Sequence, residues 1–257
     1  MAEDCEGCRS GAPLDFDFTM AFQPIVDADA AKVWGYEALI RGTDGAGAAA
    51  ILSRVGPEQR YRFDQACRVK AIELAARLFP RENTPRLSIN FLPNAVYEPA
   101  ACLRRTLAAA QRCRFPQSAI VFEFTENEQV HDAGHLRAII AEYRKQGFVT
   151  AIDDFGAGQS GLSLFADFQP DLIKLDMHLV RDVHASRVRQ AIVAGLAGIC
   201  RELGIMLLAE GVESEAEFRV LQAAGIRLFQ GYWFARPAFE ALPPVSAAAA
   251  AAADIAA

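Results

Sequence analysis

The 257-residue chain has no long hydrophobic run and no excess of basic charge, and each absence removes a class of function. Its longest apolar helical stretch, Ala191 to Cys200, is flanked by Arg189 and Arg201 and falls far short of the roughly 20 residues a bilayer requires. No membrane span is expected. The formal charge of −6 at pH 7 provides no basic field to hold a nucleic acid polymer or an anionic lipid surface. An anionic substrate would therefore need local cations or a metal. The start, Met1 to Ser10, is acidic and polar and lacks the basic and apolar regions of a signal peptide, which predicts a cytoplasmic chain. There is no internal repeat and no long linker, so one folded unit is expected. Residues 1–17 read as a flexible tail, 18–242 as the domain, and 243–257 as an alanine-rich C-terminal tail.

A second C-x-x-C is also missing. Cys5 and Cys8 form one such pair in the polar start, without the further ligands zinc needs or the preceding strand a redox motif needs. Cys67, Cys102, Cys113 and Cys200 are scattered through helical patterns, as buried free thiols in a reducing compartment would be.

With 52% hydrophobic residues, the chain can bury one large core. Apolar β-type runs occur at Ala21 to Val26, Val33 to Leu39, Leu87 to Phe91, Ala119 to Phe124, Val149 to Ile152, Leu172 to Leu175, Met206 to Leu208 and Leu228 to Phe229. Most of the gaps between them carry helical periodicity. Val188, Ile192, Leu196, Ile199 and Leu203 step by three or four residues along one face, as do Val69, Ile72 and Ala76. Ser214 with Glu217 makes a capping box. Eight strands alternating with helices predict a TIM-type (β/α)8 barrel. Only Asp27 to Lys32 separate the first two strands, too few for a parallel crossover, so the fold class is an α/β modified barrel with one antiparallel strand.

Acidic residues recur at the carboxyl ends of these strands, where barrel enzymes place their chemistry. Glu37 ends the second strand, Asn90 lies late in the third, Glu123 closes the fourth, Asp153 and Asp154 follow the fifth, Lys174 lies in the sixth and Glu210 follows the seventh, with Glu213 just beyond. Adjacent carboxylates in one mouth repel unless cations occupy it. Oxygen ligands of this kind suit hard divalent ions. Two such ions about 4 Å apart can clamp a phosphodiester and activate water, while Lys174 orients the water or offsets developing charge. The bland alternative, a set of solvated loop acids, fits a single strand end better than this many in succession.

These motifs resemble the EAL-domain family of cyclic di-GMP phosphodiesterases. The resemblance rests on Glu37-Ala-Leu39 within Gly35 to Arg41, on Glu123-Phe-Thr-Glu126, Asp153-Asp-Phe-Gly156, Ile173-Lys-Leu-Asp176 and Ala209-Glu-Gly-Val-Glu213. It extends from Gln23-Pro-Ile-Val26 to Gln230-Gly-Tyr232 and Pro237. It implies an EAL fold that uses Mg2+ or Mn2+ in a two-metal site to open cyclic di-GMP into linear 5'-pGpG. Carried over residue by residue, Glu37, Asn90, Glu123 and Asp153 resemble ligands of one metal, and Asp153 and Asp154 ligands of the second, with Asp153 bridging. Glu213 counts among the metal-site residues as a supporting group. Lys174 resembles the residue that positions the nucleophilic water and Glu210 an essential acid beside it. Gln23, Arg41 and Gln230 would contact the substrate, Arg41 through the paired donors of its guanidinium. Glu126 resembles the anchor of the loop following Asp154. The resemblance further implies a homodimer. The rival reading is an EAL domain that has lost catalysis and serves as a cyclic di-GMP receptor, but such domains usually lack the first glutamate or the paired aspartates, which are present here.

That loop departs from the family's D-D-F-G-T-G-Y-S-S-L, with Ala157, Gln159 and Gly161 at three places, and Leu92 stands where many relatives carry serine. The altered loop, with no flavin-binding sensor before the barrel, motivates the expectation of a regulatory protein partner. Several other patterns are decoys. Gly156 to Gly161 satisfies G-x-G-x-x-G, yet two carboxylates precede it where a pyrophosphate would approach. His131 and His135 have zinc-ligand spacing but fall at a helix start after a polar turn. His178 and His184 gain no role, and Tyr232, Trp233 and Phe234 read as barrel packing, with guanine stacking open to one of them.

Overall fold

The computed structural model describes residues 13–96, 98–125, 133–158 and 168–255. Eight strands close into a barrel: β1 (Phe18–Asp27), β2 (Lys32–Gly42), β3 (Arg86–Asn90), β4 (Ile120–Thr125), β5 (Val149–Phe155), β6 (Leu172–Leu175), β7 (Met206–Ala209) and β8 (Leu228–Phe229). They follow one another in sequence around the barrel, with β1 sealing it between β8 and β2. Strands β2 to β8 pair in parallel, and β1 runs antiparallel to both neighbours, as the short first connection predicts. Asp27 shapes that connection by accepting the Ala30 N–H on Oδ1 at 3.0 Å, the side-chain-to-backbone bond that favours Asp in turns. A ninth strand that the sequence reading did not anticipate, β9 (Ala238–Phe239), pairs with β1 at Ala21 and Phe22. Two residues are too few to leave a readable alternation.

Around the barrel lie α1 (Ala48–Leu52), α2 (Arg60–Leu78), α3 (Pro99–Cys113), α4 (Ala133–Lys145), α5 (Met177–Val180), α6 (Arg187–Leu203), α7 (Glu215–Ala223) and α8 (Ala247–Ala252). Helix α7 starts at the expected box: Ser214 Oγ accepts the Glu217 N–H at 3.3 Å, and Glu217 Oε2 accepts the Ser214 N–H at 3.1 Å. Helix α6 forms where its periodicity places it, but apart from the partly buried Leu196 the periodic residues face outward. Val188, Ile192, Ile199 and Leu203 are exposed, and Val193, Ala197 and Cys200 turn inward instead. Small residues fit the close approach to the barrel, and spacing alone does not say which way a face points. The alanine-rich segment, expected to be a tail from residue 243, contains α8. Ser246 caps it by accepting the Ala249 N–H at 3.2 Å, and Ala249 and Ala253 are buried in the main core. Among the described residues no helix is long and apolar enough to cross a membrane.

The barrel interior is layered by the two-residue period of its strands. Ile25, Val121, Ala151, Leu172, Leu208 and Leu228 belong to one buried apolar plug. Two residues further toward the open mouth, the same strands present Gln23, Glu123, Asp153, Lys174, Glu210 and Gln230. Because β1 is reversed, its step from Ile25 to Gln23 runs backward in sequence. The apolar plug is thus the floor of a polar chamber.

Leu208 is fully buried in that floor. Leu208→Ala is expected to cost about 2–5 kcal/mol of stability through lost burial and the cavity left behind, measured as a lowered urea midpoint by circular dichroism.

Candidate active site

Strand register sets the polar chamber. Glu37 on β2 lies opposite Gln23 in the antiparallel ladder and beside Ser88 in the parallel one. Asn90 pairs with Glu123, and Thr125 with Asp153. Strand β5 ends in an irregularity after Ile152, where Asp154 takes a left-handed φ of 54°. Asp is one of the few residues that tolerate this conformation. The kink lets two consecutive aspartates serve one mouth, although ordinary alternation would send them to opposite faces.

At the centre is Lys174, whose side chain is fully buried. Its Nζ lies 2.8 Å from Glu210, 3.0 Å from Asp153, 3.1 Å from Glu123 and 3.7 Å from Glu37. Burial alone would push this amine down, but the carboxylates around it outweigh that effect and hold it well above the usual lysine range. It is therefore a fixed ammonium. Asn90 Nδ2 donates to Glu37 Oε1 at 3.0 Å and Glu123 Oε1 at 3.1 Å. Ser88 Oγ donates to the other Glu123 oxygen at 2.6 Å. On the far side, Gln230 Nε2 donates to Glu37 Oε2 at 2.6 Å and to Gln23 Oε1 at 3.1 Å, while Gln23 Nε2 donates to the Ala235 carbonyl at 3.1 Å.

Two carboxylate trios result, Glu37 with Glu123 and Asp153, and Asp153 with Asp154 and Glu210. In each trio one oxygen per residue lies within 4.8 Å of the others. Asp153 belongs to both. Five carboxylates face one ammonium, which leaves a large negative excess in a buried chamber. Burial pushes Glu123 and Glu210 well above the usual carboxylate range, with neighbouring carboxylates adding to the shift and Lys174 opposing it. Burial, then Asp153 and Asp176, push Asp154 up to about 6. Such a chamber fits hard divalent cations, because its donors are all oxygens and its uncompensated charge is negative. Asn90 would offer its carboxamide oxygen, so its amide would turn over on loading.

The cleft above the chamber, about 240 Å3, is lined by Gln23, Glu37, Asp154, Glu210, Glu213 and Gln230, together with Asp176 and Tyr232. Glu213 borders it, yet its carboxylate is held by both Nη atoms of Arg181 and joins neither trio. Arg41 donates from Nη1 to the Ile40 carbonyl at 2.7 Å and lines a different recess with Thr43, Asp44 and Phe239. Glu126, His131, Gln159, Gly161, Cys5 and Cys8 lie outside the described residues. The sequence reading missed Ser88 and Asp176 as site residues. Their signal is the period of two, Ser88 standing two before Asn90 and Asp176 two after Lys174. A further grouping, Asp182, His184 and Glu217, is accounted for by the backbone, since Glu217 accepts the Asp182, Glu213 and Ser214 N–H groups.

The EAL domain family matches residues 12–237. Among curated relatives, the blue light- and temperature-regulated antirepressor BluF of Escherichia coli is 33% identical over 95% of this chain and 60% of its own length. A cyclic di-GMP phosphodiesterase of Pseudomonas aeruginosa is 30% identical over 86% of this chain and 38% of its own. The chain thus spans about 60% or less of these two proteins. Among solved structures, a standalone versatile EAL protein of Vibrio cholerae in its c-di-GMP-bound form superposes with a TM-score of 0.87 and 55% identity, covering 91% of this chain and 98% of that one. BlrP1 of Klebsiella pneumoniae, in a manganese and cyclic di-GMP complex, gives a TM-score of 0.82 and 38% identity over 89% of this chain and 59% of its own. With its barrel, its ordered motifs and this match over most of its length, the chain belongs to the EAL domain family.

Proposed function

We propose that the chain is a metal-dependent phosphodiesterase that hydrolyses cyclic di-GMP to linear 5'-pGpG in the cytoplasm. The observation that carries this reading is the pair of carboxylate trios sharing Asp153 around the buried Lys174 ammonium. Glu37, Asn90, Glu123 and Asp153 would hold one Mg2+ or Mn2+, and Asp153 and Asp154 the other, with Glu210 beside it. Bound there, the ions would supply a polarised phosphoryl group and water acidic enough to attack near neutral pH.

The chain's own residues define the rest of the step. Lys174, fixed as a cation, donates hydrogen bonds and cannot act as a base, so it orients the attacking water or an equatorial phosphoryl oxygen. Glu210, 2.8 Å from Lys174 and in one trio with Asp153 and Asp154, is the carboxylate placed to take a proton from that water. Gln230, itself bonded to Gln23, holds Glu37 from the opposite wall, and both glutamines border the cleft where the dinucleotide would lie. Attack on phosphorus with departure of the ribose 3'-oxygen leaves a 5'-phosphate, which is the pGpG product. Glu213 acts in this reading as the Arg181-paired edge of the cleft. Arg41 would reach substrate only from its neighbouring recess.

The proposal extends to a homodimer. Val188, Ile192, Ile199 and Leu203 form an exposed apolar row along α6, and such a row is what a second copy would cover. A regulatory protein acting through the loop after Asp154 remains part of the reading, motivated by the departure at Ala157.

Three outcomes test this. Purified chain incubated with cyclic di-GMP and Mn2+ should form pGpG, separated by chromatography, and both EDTA and Glu37→Ala should abolish it while the fold is retained. Binding of cyclic di-GMP without turnover would instead favour a receptor. Mn2+ affinity by calorimetry should fall as pH drops through about 6, because protonated Asp154 competes with the ion, and the raised Glu123 carboxyl should add to that fall. In the double variant Ile192→Glu with Ile199→Glu, sedimentation velocity should show monomer at concentrations where the unaltered chain is dimeric.

A further inference from the structure

Helix α2 turns a charged pair toward the barrel. Asp64 and Arg68, one helical turn apart, form an ion pair of 2.7 Å whose side chains are 1% and 0% exposed. A buried ion pair is a poor source of stability, since apolar residues of similar volume often do as well or better. Its contacts give it another use. Asp64 Oδ1 accepts the backbone N–H of Leu92 at 3.0 Å. The Arg68 guanidinium lies over Phe91 at 5.3 Å, Phe122 at 5.1 Å and Tyr143 at 5.7 Å, and its Nη1 donates to the Tyr143 hydroxyl at 2.7 Å. The Phe91 N–H donates in turn to the Glu123 carbonyl at 2.9 Å.

Phe91 and Leu92 directly follow Asn90, the carboxamide that bridges Glu37 and Glu123. Asn90 itself is exposed, so little packing holds it. The two residues after it are anchored at backbone and ring by Asp64, Arg68 and Glu123. We propose that the Asp64–Arg68 pair is a positioning element that fixes the end of β3 and thereby aims Asn90 into the metal site. The proposal rests on the phosphodiesterase reading only for what the site does. Neither residue touches substrate or metal. Asp64 holds the Leu92 amide, and Arg68 holds Asp64 and Phe91.

Two double variants separate positioning from bulk stability. Asp64→Asn with Arg68→Met removes both charges but keeps a side-chain oxygen to accept the Leu92 N–H. Asp64→Leu with Arg68→Met removes that acceptor as well. With both folded, as judged by far-ultraviolet circular dichroism and thermal unfolding, the Asn variant, which loses Arg68 but keeps the acceptor, should bind Mn2+ less tightly than the unaltered chain and more tightly than the Leu variant. The Leu variant should lose about 10- to 100-fold in Mn2+ affinity, the scale of losing a partner that orients a ligand. Equal Mn2+ affinity in the two would overturn the proposal. Calorimetry with Mn2+ needs no turnover, so a chain that binds the ion without hydrolysing cyclic di-GMP leaves this test intact. If either variant fails to fold, or the unaltered chain binds no Mn2+, native-state amide exchange of Leu92 decides: protection comparable to the barrel strands supports the anchor, and exchange at the rate of an exposed loop removes it.

Discussion

A single buried ammonium organises the mouth of this barrel. Lys174 stands within 3.1 Å of Glu210, Asp153 and Glu123 and somewhat farther from Glu37, and among the described residues it is the cation these carboxylates share. Even with it the balance is negative, and the upward shifts of Glu123, Glu210 and Asp154 record the imbalance. The chamber is accordingly unsatisfied as a purely protein structure and suited to receive positive charge. The apolar floor of Ile25, Val121, Ala151, Leu172, Leu208 and Leu228 keeps water from relieving that imbalance from below. Electrostatics and packing are thus coupled through the strand period: for Glu123, Asp153, Lys174, Glu210 and Gln230 the residue two places earlier seals the chamber, and for Gln23 on the reversed β1 the residue two places later does.

Part of this was legible in the sequence because strand periodicity and turn length are local. The six-residue gap between the first two strands forces antiparallel pairing, and the acids at strand ends fall in the mouth of any barrel those strands can close. Other features depended on which way an element faces. The α6 row from Val188 to Leu203 is a correct helical face that points outward, since apolar spacing identifies a shared side without naming its neighbour. Asp64 and Arg68 drew no notice in the sequence, since an i,i+4 charge pair is ordinary on a helix surface, and only the packing of α2 against β3 and α4 turns them into a buried anchor. The left-handed Asp154 was equally hidden, because alternation alone would separate it from Asp153. Glu213 and Arg41 carry family motifs, yet their geometry is set by an Arg181 pairing and a separate recess that no short motif encodes.

Strand β8 is the shortest stave of the barrel. It meets β1 through Val26 with Phe229 and Asp27 with Leu228, and it meets β7 through Leu208 and Ala209. The outer end of its junction with β1 is clipped by the 2.6 Å Arg227–Asp27 ion pair and by the Ala28 N–H on the Arg227 carbonyl. Among the described residues the site end has no such ion pair. There the junction is bridged by the Gln230–Gln23 side-chain bond, and the same Gln230 nitrogen grips Glu37. This ladder and the one between β7 and β8 are the narrowest in the barrel, each two residue pairs long. A fluctuation that parts β1 from β8 would stretch the amide chain on which Glu37 hangs, so the seam that closes the cylinder and the placement of its first glutamate are mechanically coupled.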